Sequence, residues 1–499
     1  MRKLIVLFFL IGCGCLTVSA QQKANHKKLD AMIVQGMKDW KVPGLATIVV
    51  KDGEVVFQKT YGVKNLETKE PVNENTLFAM ASTTKAIIAL SMGMLVDEGK
   101  LNWDDKVIDH LPYFKLSDHY ITADARVKDL LTHNLGIGNA DALWTIDSTS
   151  TRQTLNNFQY AEKVYPLRGG FIYQNIMYAA AGEVIEAVSG KPWTAFVNER
   201  VFTPLQMTRT QAKASGIRTA GNYVTPYWDS PEDGIVRVGH SFADQIGAAG
   251  MLWSSPKDIG NYLTFLVNDG VFKNDTLVKP ETFKYLFMPH ALQNQGGMYP
   301  TTALTKPNWN TYGLGWFQQD YRGSKLDFHT GSLDGLIAIA GVVHDKNLAV
   351  YVFANLDHAE LRHAIMLKAI DLYAFDVDAR DWHTEVFNLY HGFKKEALVS
   401  QTELIDKRAK NTSPSLPLEA YTGTYTNKML GKATVTLADT VLKVNFNDYL
   451  YYHLSHWHYD TFMTNKNPSW PKNLQIRFDM NNDGTIKALD FGAIFTKVE

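Results

Sequence analysis

A hydroxyl and an amine stand three residues apart in Ser82-Thr83-Thr84-Lys85, at the start of the apolar run Ala86-Ile87-Ile88-Ala89-Leu90. Residues at i and i+3 share a helix face, so a helix starting here lets Lys85 reach the Ser82 hydroxyl. A serine hydroxyl is a weak nucleophile until a base sits beside it. The backbone N–H at a helix start is also free to meet a developing oxyanion. The chemistry this pattern supports is acyl transfer through serine. Taken alone, the tetrapeptide fits a serine that merely caps the helix.

Two further clusters carry groups of the right kind. In Tyr173-Gln174-Asn175, a loop opens onto an apolar helix and can present a phenol and an amide to a cleft. A phenolate or a neutral lysine can take the serine proton, and the amide can hold a substrate carbonyl. The plainer alternative is a half-buried Tyr173 and an Asn175 that caps the helix. In His329-Thr330-Gly331-Ser332, on a strand after Lys325-Leu326-Asp327-Phe328, Gly331 allows a ligand close to the backbone. Free strand N–H groups there can bind substrate and supply a second oxyanion donor.

The elements that must position these groups are legible in outline. Gly44 to Val50 and Val55 to Tyr61 are β-rich and joined by Lys51-Asp52-Gly53-Glu54, a hairpin signal. The stretch from Ser82 to Leu266 is mostly helical, with helices predicted over 85–98 and 176–189, each followed by glycine. Strands are predicted at 312–318, 325–329, 336–343 and 348–354, the last two around His344-Asp345-Lys346-Asn347. One sheet built from both ends of residues 30–380 and enclosing a helical insert is the economical arrangement. A charged helix is expected over 394–411 and a break at Thr412-Ser413-Pro414-Ser415-Leu416-Pro417. Beyond it, short alternating runs and the turn Asn482-Asp483-Gly484 indicate a small antiparallel sheet or barrel.

The 499 residues are 45% hydrophobic and 20% charged, with a formal net charge of −1, which gives no nucleic-acid footprint. Arg2 and Lys3, the apolar run Leu4 to Ile11, and Val18-Ser19-Ala20 predict a signal peptide over residues 1–20, hence export to the periplasm or beyond. A rival reading makes Leu10-Ile11-Gly12-Cys13 a lipoprotein box, and only a lipidated Cys13 would imply peripheral membrane association. Both cysteines, Cys13 and Cys15, lie in this segment, so a mature chain cut after Ala20 has no thiol chemistry.

Together the three clusters resemble the serine β-lactamase and penicillin-binding-protein superfamily. The branch holding class C β-lactamases, D-alanyl-D-alanine carboxypeptidases, D-aminopeptidases and esterases carries Ser-x-x-Lys, Tyr-x-Asn and Lys/His-Thr/Ser-Gly in this order. Flanking stretches agree: Arg126 to His133, Tyr178 to Glu186 with Val188-Ser189-Gly190, Phe202 to Met207, and Gly250 to Asp258. The last part resembles a lipocalin-like β module, opening at Leu418-Glu419-Ala420-Tyr421-Thr422-Gly423-Thr424-Tyr425. The implied fold class is α+β: a β-lactamase/transpeptidase-like domain (antiparallel sheet, flanking helices, helical subdomain) followed by a small all-β barrel-like domain. The expected organisation is signal peptide 1–20, hydrolase domain 21–385, helical linker 386–417 and β domain 418–499.

By that resemblance Ser82 is the acylated nucleophile, and Lys85 and Tyr173 share general-base and general-acid work. Asn175 orients the substrate, the N–H groups of Ser82 and Ser332 form the oxyanion hole, and His329-Thr330-Gly331 lines the substrate. No metal or cofactor is called for, and the expected partner is a small amide, peptide or ester substrate. Two departures matter. His329 stands where efficient β-lactamases have lysine, and histidine is neutral for much of its time near pH 7, so a fixed cation for a β-lactam or peptide carboxylate is weakened. Asn134-Leu135-Gly136 replaces the usual Thr-Ser-Gly beside the site. Peptidase or amidase action therefore ranks first, esterase second and β-lactamase third. A non-catalytic binder of peptidoglycan fragments is the alternative from another class. Elsewhere, Asp479, Asn481, Asp483, Gly484 and Asp490 space like a calcium loop but read more simply as a hairpin turn. His453, His456 and His458 read as barrel packing or exposed side chains rather than a metal site.

Overall fold

In the computed structural model, the described residues are 2–146, 150–240, 242–294, 297–446, 450–465 and 473–498, with side chains from residue 21 onward. The predicted signal peptide and Cys13 therefore fall outside the described side chains.

The hairpin predicted near residue 50 forms β1 (Gly44–Lys51) and β2 (Glu54–Gly62). Asp52 and Gly53 take positive φ of 53° and 81° at its turn, the geometry an Asp-Gly pair supplies most cheaply. The other strands of the sheet come from the far end of the domain. They are β3 (Ala291–Leu292), β4 (Asn310–Tyr312), β5 (Phe317–Tyr321), β6 (Ser324–Leu333), β7 (Leu336–Val343) and β8 (Leu348–Ala354). The order is β2-β1-β8-β7-β6-β5-β4-β3, antiparallel throughout. One sheet made from both ends, with the helical insert between them, is thus observed. The strand expected over 312–318 is instead two strands with a break at Gly313–Trp316. Gly315 causes it: with φ of 84°, it passes over the Ser82 helix so closely that a Cβ would lie 2.8 Å from the Ala86 amide nitrogen.

Both faces of the sheet are covered, which is why β1, β7 and β8 are nearly continuous apolar runs. One face packs on α1 (Arg2–Asp39) through Leu29 and Ile33, and on a C-terminal helix pair described below. The other packs on α4 (Pro256–Val267), which shares one core with α2 (Thr84–Asp97) and with α3 (Asn175–Ser189), packed on the far side against α2. From Thr84 to Leu95 every residue of α2 is buried, as expected of a helix that is apolar on all sides and runs through the centre of a domain. The helix α3 ends on Gly190 at φ 70°, a left-handed cap.

The C-terminal helices are α5 (Leu361–Ala374) and α6 (Trp382–Asp406). The helix expected over 394–411 therefore begins twelve residues earlier and stops sooner. Asp381 caps it by accepting from Thr384 N at 3.1 Å, and Trp382 and Val386 are buried in the sheet core. Beyond it, eight strands from β9 (Gly423–Asn427) to β16 (Ile494–Val498) form a closed antiparallel barrel. Its interior holds the aromatic cluster Tyr421, Tyr425, Phe462 and Phe478. Asn481 to Thr485 is a hairpin turn in which Asp483 accepts from Thr485. Among the described residues no helix is long and apolar enough to cross a membrane.

Candidate active site

Ser82 lies in a single 3-10 turn, Ala81–Thr83, directly ahead of α2. The turn is strained: Ala81 has φ of 47°, a conformation alanine adopts at a cost of roughly 1–3 kcal/mol. Thr83 anchors it from behind, its hydroxyl 2.8 Å from Met80 O and 2.5 Å from the Tyr351 hydroxyl. Neither the turn nor α2 has a side-chain cap, so Ser82 is not spent on capping. Its side chain remains partly open to solvent.

Lys85 is fully buried one turn on, with Nζ 3.0 Å from Ser82 Oγ, 2.7 Å from Asn175 Oδ1 and 2.7 Å from Ala249 O. Burial drives its pKa down to about 7, and the only charge opposing that shift is Asp141. A neutral amine has two N–H groups and one lone pair. Asn175 Oδ1 and Ala249 O are acceptors only and take both N–H groups, so the lone pair of neutral Lys85 faces the Ser82 hydroxyl.

Tyr173 stands across from them. Its phenol hydrogen-bonds the Ser82 side chain, and burial pushes its pKa well above the usual value of 10.0, leaving it protonated. Its ring lies 4.9 Å from Lys85 Nζ and 4.3 Å from the ring of His133. His133 is buried and accepts from Gln174 N through Nδ1 at 3.0 Å, which pins the Tyr-x-Asn turn. Asn175 is the first residue of α3 and does not cap it; its amide bridges Lys85 and Asp141, with Nδ2 3.0 Å from Asp141 Oδ2.

The strand segment closes the site. At Gly331, an added Cβ would lie 2.3 Å from Met80 O and 3.1 Å from Ser82 N, so β6 abuts the nucleophile turn at a point only glycine fits. His329 and Thr330 point to opposite faces of β6, as a strand's period of two requires. His329 is fully buried: Nδ1 donates to Thr330 O at 2.6 Å, so Nε2 accepts from the Tyr312 hydroxyl at 3.0 Å. Burial, then the nearby Lys85, hold its pKa down to about 3, and the ring is neutral. The Thr330 hydroxyl pairs with Tyr299 at 2.6 Å. Ser332 is exposed at the strand end, and behind it the buried Arg362 donates to Gly331 O, Ser332 Oγ and Ala338 O at 2.5, 3.0 and 3.2 Å.

All eight residues singled out from sequence thus lie on or beside one turn, one loop and one strand. Sequence reasoning missed Asn139, Asp141 and Arg362. Asn139 and Asp141 fall in the loop beyond Asn134-Leu135-Gly136, in which Asn134 and Leu135 are buried and Asn134 Oδ1 accepts from the Thr132 hydroxyl at 2.6 Å. Asn139 Nδ2 reaches Asp141 Oδ2 at 3.1 Å and Tyr173 O at 2.9 Å. An amide and a carboxylate two residues apart in a loop already placed at the site was the available signal.

This architecture is that of the β-lactamase/transpeptidase-fold serine hydrolases. It superposes on the octameric penicillin-binding protein homologue from Pyrococcus abyssi with a TM-score of 0.63, at 22% identity over 94% of this chain and 99% of that one. SurE gives a TM-score of 0.60 at 20% identity, over 96% and 100% of the two chains. Residues 29–375 match the Beta-lactamase family, and the chain belongs to it. Residues 407–497 match a domain of unknown function, DUF3471. Protein flp of Staphylococcus aureus (strain NCTC 8325 / PS 47) is 25% identical over 344 residues, covering 67% of this chain. The chain spans 64% of that relative's length. The Unguisins hydrolase ungD' of Aspergillus campestris (strain IBT 28561) is 26% identical over 427 residues, 81% of this chain and 76% of its own.

Proposed function

We propose that this chain is an exported serine hydrolase that passes through a Ser82 acyl-enzyme on a small amide, peptide or ester substrate. The observation that carries the reading is the Lys85 amine: buried, with a pKa near 7, and with its lone pair directed at a serine hydroxyl 3.0 Å away. Neutral Lys85 takes the Ser82 proton as Oγ attacks the substrate carbonyl, and the N–H groups of Ser82 and Ser332 receive the oxyanion. Protonated Tyr173 hands a proton to the leaving group and is restored from Lys85. Water then attacks the acyl-enzyme by the reverse relay.

His329 bears on substrate. Its ring is neutral and both nitrogens are engaged within the protein, so it offers no cation to a β-lactam or peptide carboxylate. Arg362 is committed to Glu360 and to backbone carbonyls. A site poor in free cations favours acyl groups without a free carboxylate beside the scissile bond, which keeps peptidase or amidase and esterase action ahead of β-lactamase action. A relative named as a hydrolase and a SurE structure solved with D-Leu make substrates containing D-amino acids a suitable first panel.

Reaction with a fluorophosphonate and with a fluorescent β-lactam, alongside turnover of ester, amide and D-aminoacyl panels, tests the reading with Ser82→Ala as control. A Ser82-dependent adduct with turnover is expected. Turnover unaffected by Ser82→Ala refutes it, and ligand binding with neither adduct nor turnover favours a peptidoglycan-fragment binder. N-terminal sequencing of the exported protein, expected to begin at Gln21, tests export; a lipid on Cys13 refutes the free N-terminus.

A further inference from the structure

Asp141 is the one carboxylate that acts on Lys85, and nothing in the chemistry above uses it. Its Oδ2 accepts from Asn175 Nδ2 at 3.0 Å and Asn139 Nδ2 at 3.1 Å, and its Oδ1 from Trp144 Nε1 at 3.1 Å. All three partners are neutral donors. Its backbone is tied down as well, with its N–H donating to Asn139 Oδ1 at 2.9 Å. The carboxylate is thus held in one orientation by the loop that carries it.

An ionised carboxylate only accepts, so the Asn175 amide must turn its NH₂ toward Asp141 and its Oδ1 toward Lys85. The flipped amide would set its Oδ1 against the Asp141 carboxylate and its NH₂ against Lys85, and would no longer accept a Lys85 N–H. We infer that Asp141 is a positioning residue of the acylation step: by fixing the Asn175 amide it forces the Lys85 lone pair onto the Ser82 hydroxyl. The inference rests on the Ser82 acyl-enzyme reading. The other titratable groups facing Lys85 are Tyr173 from the loop before α3, Tyr178 from α3, His133 from the preceding loop and His329 from β6. The two tyrosines are held protonated and the two histidines neutral by burial, which leaves Asp141 as the charge that supports protonated Lys85.

Asp141→Asn removes the charge and the orientation together, and the two losses have opposite signs. Without the carboxylate, Lys85 loses its proton at lower pH, so more of the lysine is neutral at any given pH. With Asn175 free to flip, that neutral lysine is aimed less well. The expected result is fluorophosphonate labelling of Ser82 slowed about 10–100-fold on its plateau, with the acid limb of the rate profile moved to lower pH. Asp141→Glu keeps the charge on a longer arm and should keep the limb at its wild-type position. Rates are read from about pH 5 to 9, with a thermal melt of each variant. Asp141→Asn labelling at the wild-type rate with an unmoved limb overturns the inference, as does an Asp141→Glu limb that falls as far as that of Asp141→Asn. A loss of labelling that merely follows a lowered melting temperature, with no shift of the limb, overturns it too. Failure of the wild type itself to label at Ser82 overturns the serine reading, and this inference with it, so the two failures are told apart by the wild-type lane.

Discussion

Gly331→Ala perturbs the site at the point where β6 meets the nucleophile turn. The added Cβ would sit 2.3 Å from Met80 O, 2.9 Å from Ala81 Cβ and 3.1 Å from Ser82 N. A carbon approaches a carbonyl oxygen comfortably at no less than about 3.3 Å. The strand and the turn must therefore part by about 1 Å. Neither neighbour is a flexible side-chain end: Met80 O is backbone, and the following residue is already strained at φ 47°. The displacement falls beside the Ser82 amide, which on the proposed reading receives the oxyanion together with the Ser332 amide. Overpacking of this kind costs about 1–3 kcal/mol of stability, while a 1 Å misplacement of reacting groups costs about 10²-fold in rate. The assay is kcat/KM on an activated ester, read beside the thermal midpoint. The expected variant is folded, modestly less stable, and slower by about two orders of magnitude, with the loss mainly in kcat. A folded Gly331→Ala enzyme within about threefold of wild type would show that this contact does not set the acylation geometry.

The base should announce itself in the pH dependence: acylation should rise through about pH 7 as Lys85 loses its proton, and an acid limb above about pH 9 would exclude it as the base. The same shift bears on stability. The folded-state value lies below the unfolded value of about 10.4, so the unfolded chain binds the extra proton and stability rises from about pH 7 toward 10; denaturant titrations of Lys85→Met should lack that rise. His329 should contribute no step near neutrality, and its ring C2–H resonance should stay flat from about pH 5 to 8. Arg362→Met leaves Glu360 buried without its guanidinium and frees the carbonyls of Gly331 and Ala338; the expected loss is about 3–5 kcal/mol, read by chemical denaturation, and a loss below about 1 kcal/mol refutes the pairing.

What was legible in the sequence was what local rules encode. The β1–β2 turn carries Asp52-Gly53, α3 ends on Gly190, and Ser82 and Lys85 share a helix face by spacing alone. What was not legible depended on contacts between distant segments. The strand expected over 312–318 breaks because Gly315 must clear Ala86, more than two hundred residues away in sequence. The strain at Ala81 carries no residue signal, since positive φ is read from glycine or asparagine and alanine normally excludes it. Asp141 is one of many loop carboxylates until the fold sets it 3.0 Å from Asn175. The early start of α6 was recoverable: Asp381 followed three residues later by Thr384, with Trp382 between, is a cap ahead of a buried aromatic.

The site depends on two parts of the chain far apart in sequence being pressed together without side chains between them. Gly315 lies against the start of α2 and Gly331 against the turn before it, so the break ahead of β5 and the strand β6 press on the Ser82–Ala86 segment from the sheet side at two places that tolerate no Cβ. From the helical side, Lys85, Asn175 and Asp141 are linked by hydrogen bonds of 2.7 and 3.0 Å, and His133 holds the backbone between Tyr173 and Asn175. The strained Ala81 persists because both sides constrain it. On the proposed reading, a serine held this way loses little entropy on reaction, and Lys85 would act as a base already dry and already aimed. On the sheet side the buried His329 ring is neutral and hydrogen-bonded through both nitrogens, so it supplies no cation to a carboxylate. On the proposed reading, such a site should discriminate among acyl groups by shape and by contact with Tyr173, which faces Ser82, more than by charge.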